Sequence, residues 1–216
     1  MIDLWLDGTA VRAISGAIAA LLSVIAFVPY ITNTLRGHTR PQRACWLIWS
    51  VLSIISTFSL AYEGATASLG FSAAQAGCTT LVALIAIVRG QGAFLTKSDV
   101  GVLCLAGSGN LLWYATDSAA YALVIAILIG FIGGLLTIQK TYWFPDTETM
   151  STWVLSFIAA GFALVAVGQY DWVLLAYPAY LFLMYGAIIS AWALGHTPRA
   201  RVRQNQMGVF QSVRSR

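Results

Sequence analysis

The residues of this chain best suited to chemistry are polar and aromatic side chains inside long uncharged runs. Gln75 lies near the middle of the run 64–88, where a buried amide is costly unless it is paired. Trp49, Ser53 and Ser56 share one face of the run 44–62 because they recur at spacings of three and four. Such groups can stack on a ligand and hydrogen-bond to it. The candidate binding residues, from five of the runs, are Gln75, Trp49, Ser53, Ser156, Tyr180, Tyr185 and Asn110.

Each candidate also has a structural explanation. Gln75 would serve equally as a helix–helix hydrogen bond, and the serine stripe as a packing face of small residues. Gly130 and Gly134, four apart, favour close packing within one group of helices rather than dimerisation. The sequence leaves ligand contact and packing open for these positions.

The sequence lacks the residue patterns that ion coupling, metal binding and catalysis require. No ionisable residue lies deep in any run, which favours facilitated diffusion over ion-coupled transport. Cys45, Cys78 and Cys104 have no ligand spacing, so we expect no metal site and no cofactor. No nucleophile–base pair or phosphate loop occurs, so we do not expect an enzyme. Asp146 and Glu148 are expected to lie in a solvated loop and cap the helix that follows.

Seven uncharged runs must position these residues. The length of each run is close to the ~20 residues that a helix needs to cross a bilayer. Backbone that lies in lipid must be helical, because its polar groups have no other hydrogen-bond partners. The chain is 59% hydrophobic and 9% charged, whereas soluble domains are about 25% charged. The sequence therefore predicts an all-α membrane protein with seven transmembrane helices. The runs are 13–35, 44–62, 64–88, 100–116, 118–139, 149–170 and 172–198.

Charge predicts the orientation. With seven alternating spans, all 12 lysines and arginines except Arg12 fall on one side. Positive residues favour the cytoplasm, so we expect N-out/C-in. Basic residues at helix ends do not form a nucleic-acid face, and we expect the bilayer as partner and no nucleic acid. The segment MIDLWLDG, which precedes the first run, contains no basic residue, unlike the start of a signal peptide. We therefore expect the first run to remain as a transmembrane helix rather than to be cleaved off.

The runs group as three, one and three. We expect a first three-helix bundle in 1–98, a linker helix in 99–117, a second bundle in 118–198 and a basic cytoplasmic tail in 199–216. An offset of 107 residues lays Trp46 on Trp153. The odd linker span would give both bundles the same orientation, as in a parallel repeat.

The segment FVPYITNTLRGHTRPQRACWLIW (27–49) resembles a PQ-loop repeat, and the 3+1+3 layout resembles the SWEET sugar transporters and their relatives, including the PnuC vitamin transporters and the KDEL receptors. The Pro-Gln pair of that repeat is Pro29-Tyr30 here and Leu136-Thr137 in the second bundle. The resemblance implies two bundles that rock around a midplane site. It makes Pro29 and Tyr30 candidates for an inner gate. Pro178, inside the last run, is a further candidate hinge, with a tolerated kink as the alternative.

The expected function is facilitative transport of a small neutral or zwitterionic solute, sugar- or vitamin-like, across a bacterial cytoplasmic membrane. The alternative is a receptor on the same scaffold that binds a peptide or lipid head group through Arg36, Arg40 and Arg43. A structural factor without a ligand is a third possibility. The sequence leaves homo-oligomer formation open.

Overall fold

The computed structural model describes residues 8–41, 43–90, 100, 101, 104, 108, 111, 113–168 and 171–197, and every regular element among them is helical. A short 3-10 turn, Pro145–Thr147, precedes the fifth helix. The helices are α1 (Gly8–Leu35), α2 (Arg43–Tyr62), α3 (Leu69–Arg89), α4 (Ala119–Trp143), α5 (Met150–Val167) and α6 (Trp172–Gly195).

All six helices are long and apolar enough to cross a membrane. Large apolar side chains such as Leu21, Leu128 and Leu183 are exposed on their outer faces, where lipid would cover them. The chain is therefore a multi-pass integral membrane protein, as predicted. Six of the predicted runs are confirmed as helices. In the seventh, 100–116, the described residues are helical, but Asn110 lies outside the described residues, and the count of seven remains a prediction.

The six helices form a closed ring. We call α1–α3 the first bundle and α4–α6 the second. Helix α3 packs against both α1 and α2, and helix α6 packs against both α4 and α5. The ring closes through α1 against α5 and α2 against α4. Both bundles thus have the same internal order, and two helix pairs make most of the contacts between them.

Contacts between the loops define two ends of the ring. At the basic end, the Thr39 and Thr149 hydroxyl oxygens are 2.6 Å apart, and the Arg43 Nε donates to the Ala86 carbonyl at 3.1 Å. At the acidic end, the Tyr62 hydroxyl donates to Asp117 Oδ1 at 2.6 Å. Helices α1 and α4 both run from the acidic end to the basic end. The basic end carries Arg36, Arg40, Arg43, Arg89 and Lys140, and the acidic end carries Glu63, Asp117 and Asp171.

Gly16 lets α1 approach the turn between α2 and α3. A Cβ there would overlap the carbonyl oxygen of Ala67, which is backbone and cannot rotate away. We expect Gly16→Ala to lower the free energy of unfolding by about 1–3 kcal/mol, the usual cost of overpacking. Gly77→Ala is the matched control, because a Cβ at Gly77 has no heavy atom within 4 Å. Thermal unfolding in detergent tests this, and equal midpoints for the two variants would contradict the close approach.

Candidate functional site

All six helices line one cavity inside the ring, the central cavity. It contains about 610 Å³ of empty space, including the part open at its margin. One lining residue from each helix in turn is Phe27, Trp49, Gln75, Gly130, Trp153 and Tyr180.

Six of the seven predicted binding residues line the central cavity. They come from α2, α3, α5 and α6, and their separation in sequence reaches 136 positions, from Trp49 to Tyr185. Asn110 lies outside the described residues. The role of the six in binding remains a prediction. They are Gln75, Trp49, Ser53, Ser156, Tyr180 and Tyr185.

Aromatic rings form a continuous layer toward the basic end of the cavity. The centroid of Trp49 is 5.4 Å from that of Trp46 and 6.4 Å from that of Trp153. Tyr30 lies 4.8 Å from Trp46, and Tyr185 lies 5.8 Å from Trp153. We call these five residues the aromatic layer. Because α1 and α2 supply three rings and α5 and α6 supply two, the layer joins the two bundles.

Gln75 connects three helices. Its side chain is 1% exposed; Nε2 donates to Ser23 Oγ of α1 at 3.1 Å, and Oε1 accepts from the Tyr185 hydroxyl of α6 at 3.2 Å. Both polar atoms are thus engaged with protein. The helix–helix hydrogen bond that the sequence allows is what the geometry shows, and it crosses between the bundles.

Glycines of α4 bring large side chains against its backbone. A Cβ at Gly130 would meet the Tyr180 hydroxyl at 2.7 Å, and one at Gly134 would overlap Met184. Both neighbours belong to α6, so the predicted close packing within one group of helices is confirmed. From the other bundle, Trp49 Nε1 donates to the Gly130 carbonyl at 3.4 Å.

The candidate gate residues occupy different places. Tyr30 is fully buried in the aromatic layer, and its hydroxyl accepts from Trp46 Nε1 at 3.1 Å. Pro29 lies partly buried inside α1, and Pro178 lies buried inside α6 beside the cavity residue Tyr177. Both helices continue through their prolines. Each proline removes one backbone hydrogen bond from its helix, and the hinge role remains a prediction.

A partly buried ion pair lies on the basic-end side of the aromatic layer and was not expected. Lys140 Nζ and Glu148 Oε1 are 2.7 Å apart, with side chains 18% and 3% exposed. Trp153 Nε1 donates to the other carboxylate oxygen of Glu148 at 3.2 Å. The prediction that Glu148 is a solvated helix cap was wrong, because these two donors hold it inside. Asp146 is also not a cap: its Oδ1 lies 3.2 Å from His196 Nε2.

The ion pair borders a second, smaller space, the basic-end cavity. It has about 240 Å³ of empty space. Trp46, Trp49 and Trp153 line both this cavity and the central one, so the aromatic layer separates them. The two cavities therefore lie along one line toward the basic end.

Loop contacts close the ring beyond the basic-end cavity. Besides the Thr39–Thr149 contact, Asn33 Nδ2 donates to Thr149 Oγ1 at 3.2 Å. Lys140 Nζ donates to the Arg40 carbonyl at 3.3 Å. We call these contacts the basic-end lock. Each contact joins the first bundle to the second, and no sequence pattern indicated them.

No protein-family model, curated protein or solved structure matches this sequence. The function is therefore inferred from the cavities and the contacts around them.

Proposed function

We propose that this chain is a facilitative transporter of a small neutral or zwitterionic solute, sugar- or vitamin-like, which works by alternating access. The observation that carries this proposal is the central cavity. Both bundles enclose it, aromatic rings and hydroxyls line it, and none of its described lining residues is Asp, Glu, Lys, Arg or His. An uncharged lining of this kind suits a ligand without net charge, because an unpaired charge would be costly there.

The proposed architecture has seven spans in two parallel repeats. Residues 1–98 and 118–198 would form the bundles, with 99–117 as the linker helix. The common direction of α1 and α4 and the shared packing order support it. We place the basic end in the cytoplasm, since lysine and arginine favour that side, and the protein in a bacterial cytoplasmic membrane.

Alternating access requires the two bundles to separate at the basic end. The aromatic layer, the Lys140–Glu148 pair and the basic-end lock close that end in this structure. Bends at Pro29 and Pro178 would let the inner parts of α1 and α6 swing apart. A ligand shifts the protein toward the state that is open at the basic end only if it binds that state more tightly than the closed one.

The experiment has two stages. A thermal-shift screen of neutral sugars, nucleosides, vitamins, amino acids, short peptides and anionic lipids identifies a ligand, which at 100 times its Kd stabilises by about 2.7 kcal/mol. Uptake of that ligand into proteoliposomes is then measured for Thr39→Cys/Thr149→Cys, made without the three native cysteines. Because the two hydroxyls are 2.6 Å apart, the thiols can form a disulfide. We expect oxidation to stop uptake, with recovery on reduction.

The single variants Thr39→Cys and Thr149→Cys are the controls and should transport under both conditions. Full uptake by the oxidised double variant would contradict alternating access at this end. Hits confined to peptides or anionic lipids, and lost in Arg40→Ala, would instead establish a receptor.

A further inference from the structure

Two hydroxyls that line the central cavity have no hydrogen-bond partner among the described residues. Ser56 Oγ of α2 and Thr152 Oγ1 of α5 each belong to a side chain 1% exposed. Buried hydroxyls in proteins are nearly always paired, and an unpaired one is destabilising. Both residues face a space that could hold such a partner, because both line the central cavity.

Two other polar side chains at the site, Gln75 and Ser53, are already engaged with protein. Both polar atoms of Gln75 bond to protein, and Ser53 Oγ donates to the Trp49 carbonyl at 2.6 Å. Among the described residues of the cavity, the fully buried polar atoms without a hydrogen-bond partner are the hydroxyl oxygens of Ser56 and Thr152.

The hydroxyls of Ser56 and Thr152 lie at different depths in the membrane-spanning part of the protein. Helices α2 and α5 both begin at the basic end, and Ser56 is 13 residues after Arg43, whereas Thr152 is two after Met150. With about 1.5 Å of rise per residue, the 11-residue difference is roughly 16 Å of depth. The rings of Trp49, Trp153 and Tyr180 line the same cavity.

We infer that Ser56 and Thr152 are the hydrogen-bonding contacts of the transported ligand, an uncharged solute with polar groups at both ends and a ring between them. This inference rests on the proposed function and names the substrate class of its site. Gln75 then connects the bundles rather than selecting the ligand.

Thiol labelling tests the two positions without a known ligand. Ser56→Cys and Thr152→Cys, made without native cysteines, are exposed in membranes to neutral methyl methanethiosulfonate and to its cationic trimethylammonium-ethyl analogue. We expect both to react with the neutral reagent and poorly with the cation. Ser59→Cys is the matched control, because Ser59 is equally buried and unpartnered but does not line the cavity. No reaction at positions 56 and 152, or an equal reaction at 59, would overturn the inference.

Binding is then measured with riboflavin and sucrose against their phosphorylated forms. We expect the uncharged member of a pair to bind, with Ser56→Ala and Thr152→Val each weakening affinity about fivefold and Ser59→Ala leaving it unchanged. Unchanged affinity in both cavity variants would overturn the inference while leaving transport intact. If neither probe nor any compound of the screen bound the unmodified protein, the proposed function would fail, and labelling alone would decide whether the site admits uncharged molecules.

Discussion

Replacing Glu148 by alanine is expected to lower the free energy of unfolding by about 2–4 kcal/mol, slightly less than the usual cost of breaking a fully buried ion pair. The change leaves the Lys140 ammonium, 18% exposed, without its carboxylate, and it leaves Trp153 Nε1 without its acceptor. Lys140 also holds the Arg40 carbonyl of the other bundle, so loss of its partner loosens the basic-end lock. Thermal and denaturant unfolding in detergent measure the effect.

The control for this prediction is Asp146→Asn. Asp146 also pairs with a basic group, His196, but its side chain is 93% exposed, and exposed pairs contribute little. We expect no measurable change in that variant. The swapped pair Lys140→Glu/Glu148→Lys should recover part of the stability, because charge complementarity returns. A Glu148→Ala protein as stable as Asp146→Asn would show that the pair contributes nothing to closing the basic end.

Gln75→Leu should destabilise the protein by a similar amount, about 2–4 kcal/mol. Leucine has nearly the same volume but leaves Ser23 Oγ and the Tyr185 hydroxyl unpaired, and each unpaired buried group costs about 1–3 kcal/mol. Since the bond to Tyr185 joins α3 to α6, the loss weakens the contact between bundles. A double-mutant cycle with Tyr185→Phe measures the interaction energy between the two side chains, which we expect to be about 0.5–3 kcal/mol.

Tyr180→Phe is the matched control for the hydroxyl loss, on the same helix and at the same cavity. Its hydroxyl lies against Gly130 rather than against Gln75. We expect additive behaviour when it is combined with Gln75→Leu. Additivity of Tyr185→Phe with Gln75→Leu would mean that the cross-bundle hydrogen bond carries no energy.

Much of the helical architecture of this protein could be predicted from local sequence patterns. Six helices were predicted within a few residues of their bounds, because a run long enough to span lipid leaves the backbone no alternative to helix. Polar residues in such runs must face the interior, which explains why Gln75, Ser53 and Ser156 all line the central cavity. Their placement needed only burial, not knowledge of which helices are neighbours.

The energetics of the site depend on partners distant in sequence. For Gln75 the sequence left ligand contact and a helix–helix hydrogen bond open, and its partners Ser23 and Tyr185 are 52 and 110 positions away. From the sequence, Glu148 was expected to be a solvated helix cap beside Asp146. Its pairing with Lys140 could not be predicted, because it depends on how the α4–α5 loop folds back toward Trp153. No periodicity within one helix contains that information.

Composition and spacing by themselves determined that the chain is an all-helical membrane protein and which faces of its helices turn inward. Both follow from the cost of placing polar groups in lipid, which each residue meets independently of its neighbours. Only the tertiary structure decided the order of helices in the ring, the aromatic layer, the ion pair at the basic end, and the two hydroxyls left unpaired in the cavity. These features arise from contacts between helices, where shape and hydrogen-bond geometry select one arrangement among many with the same apolar pattern.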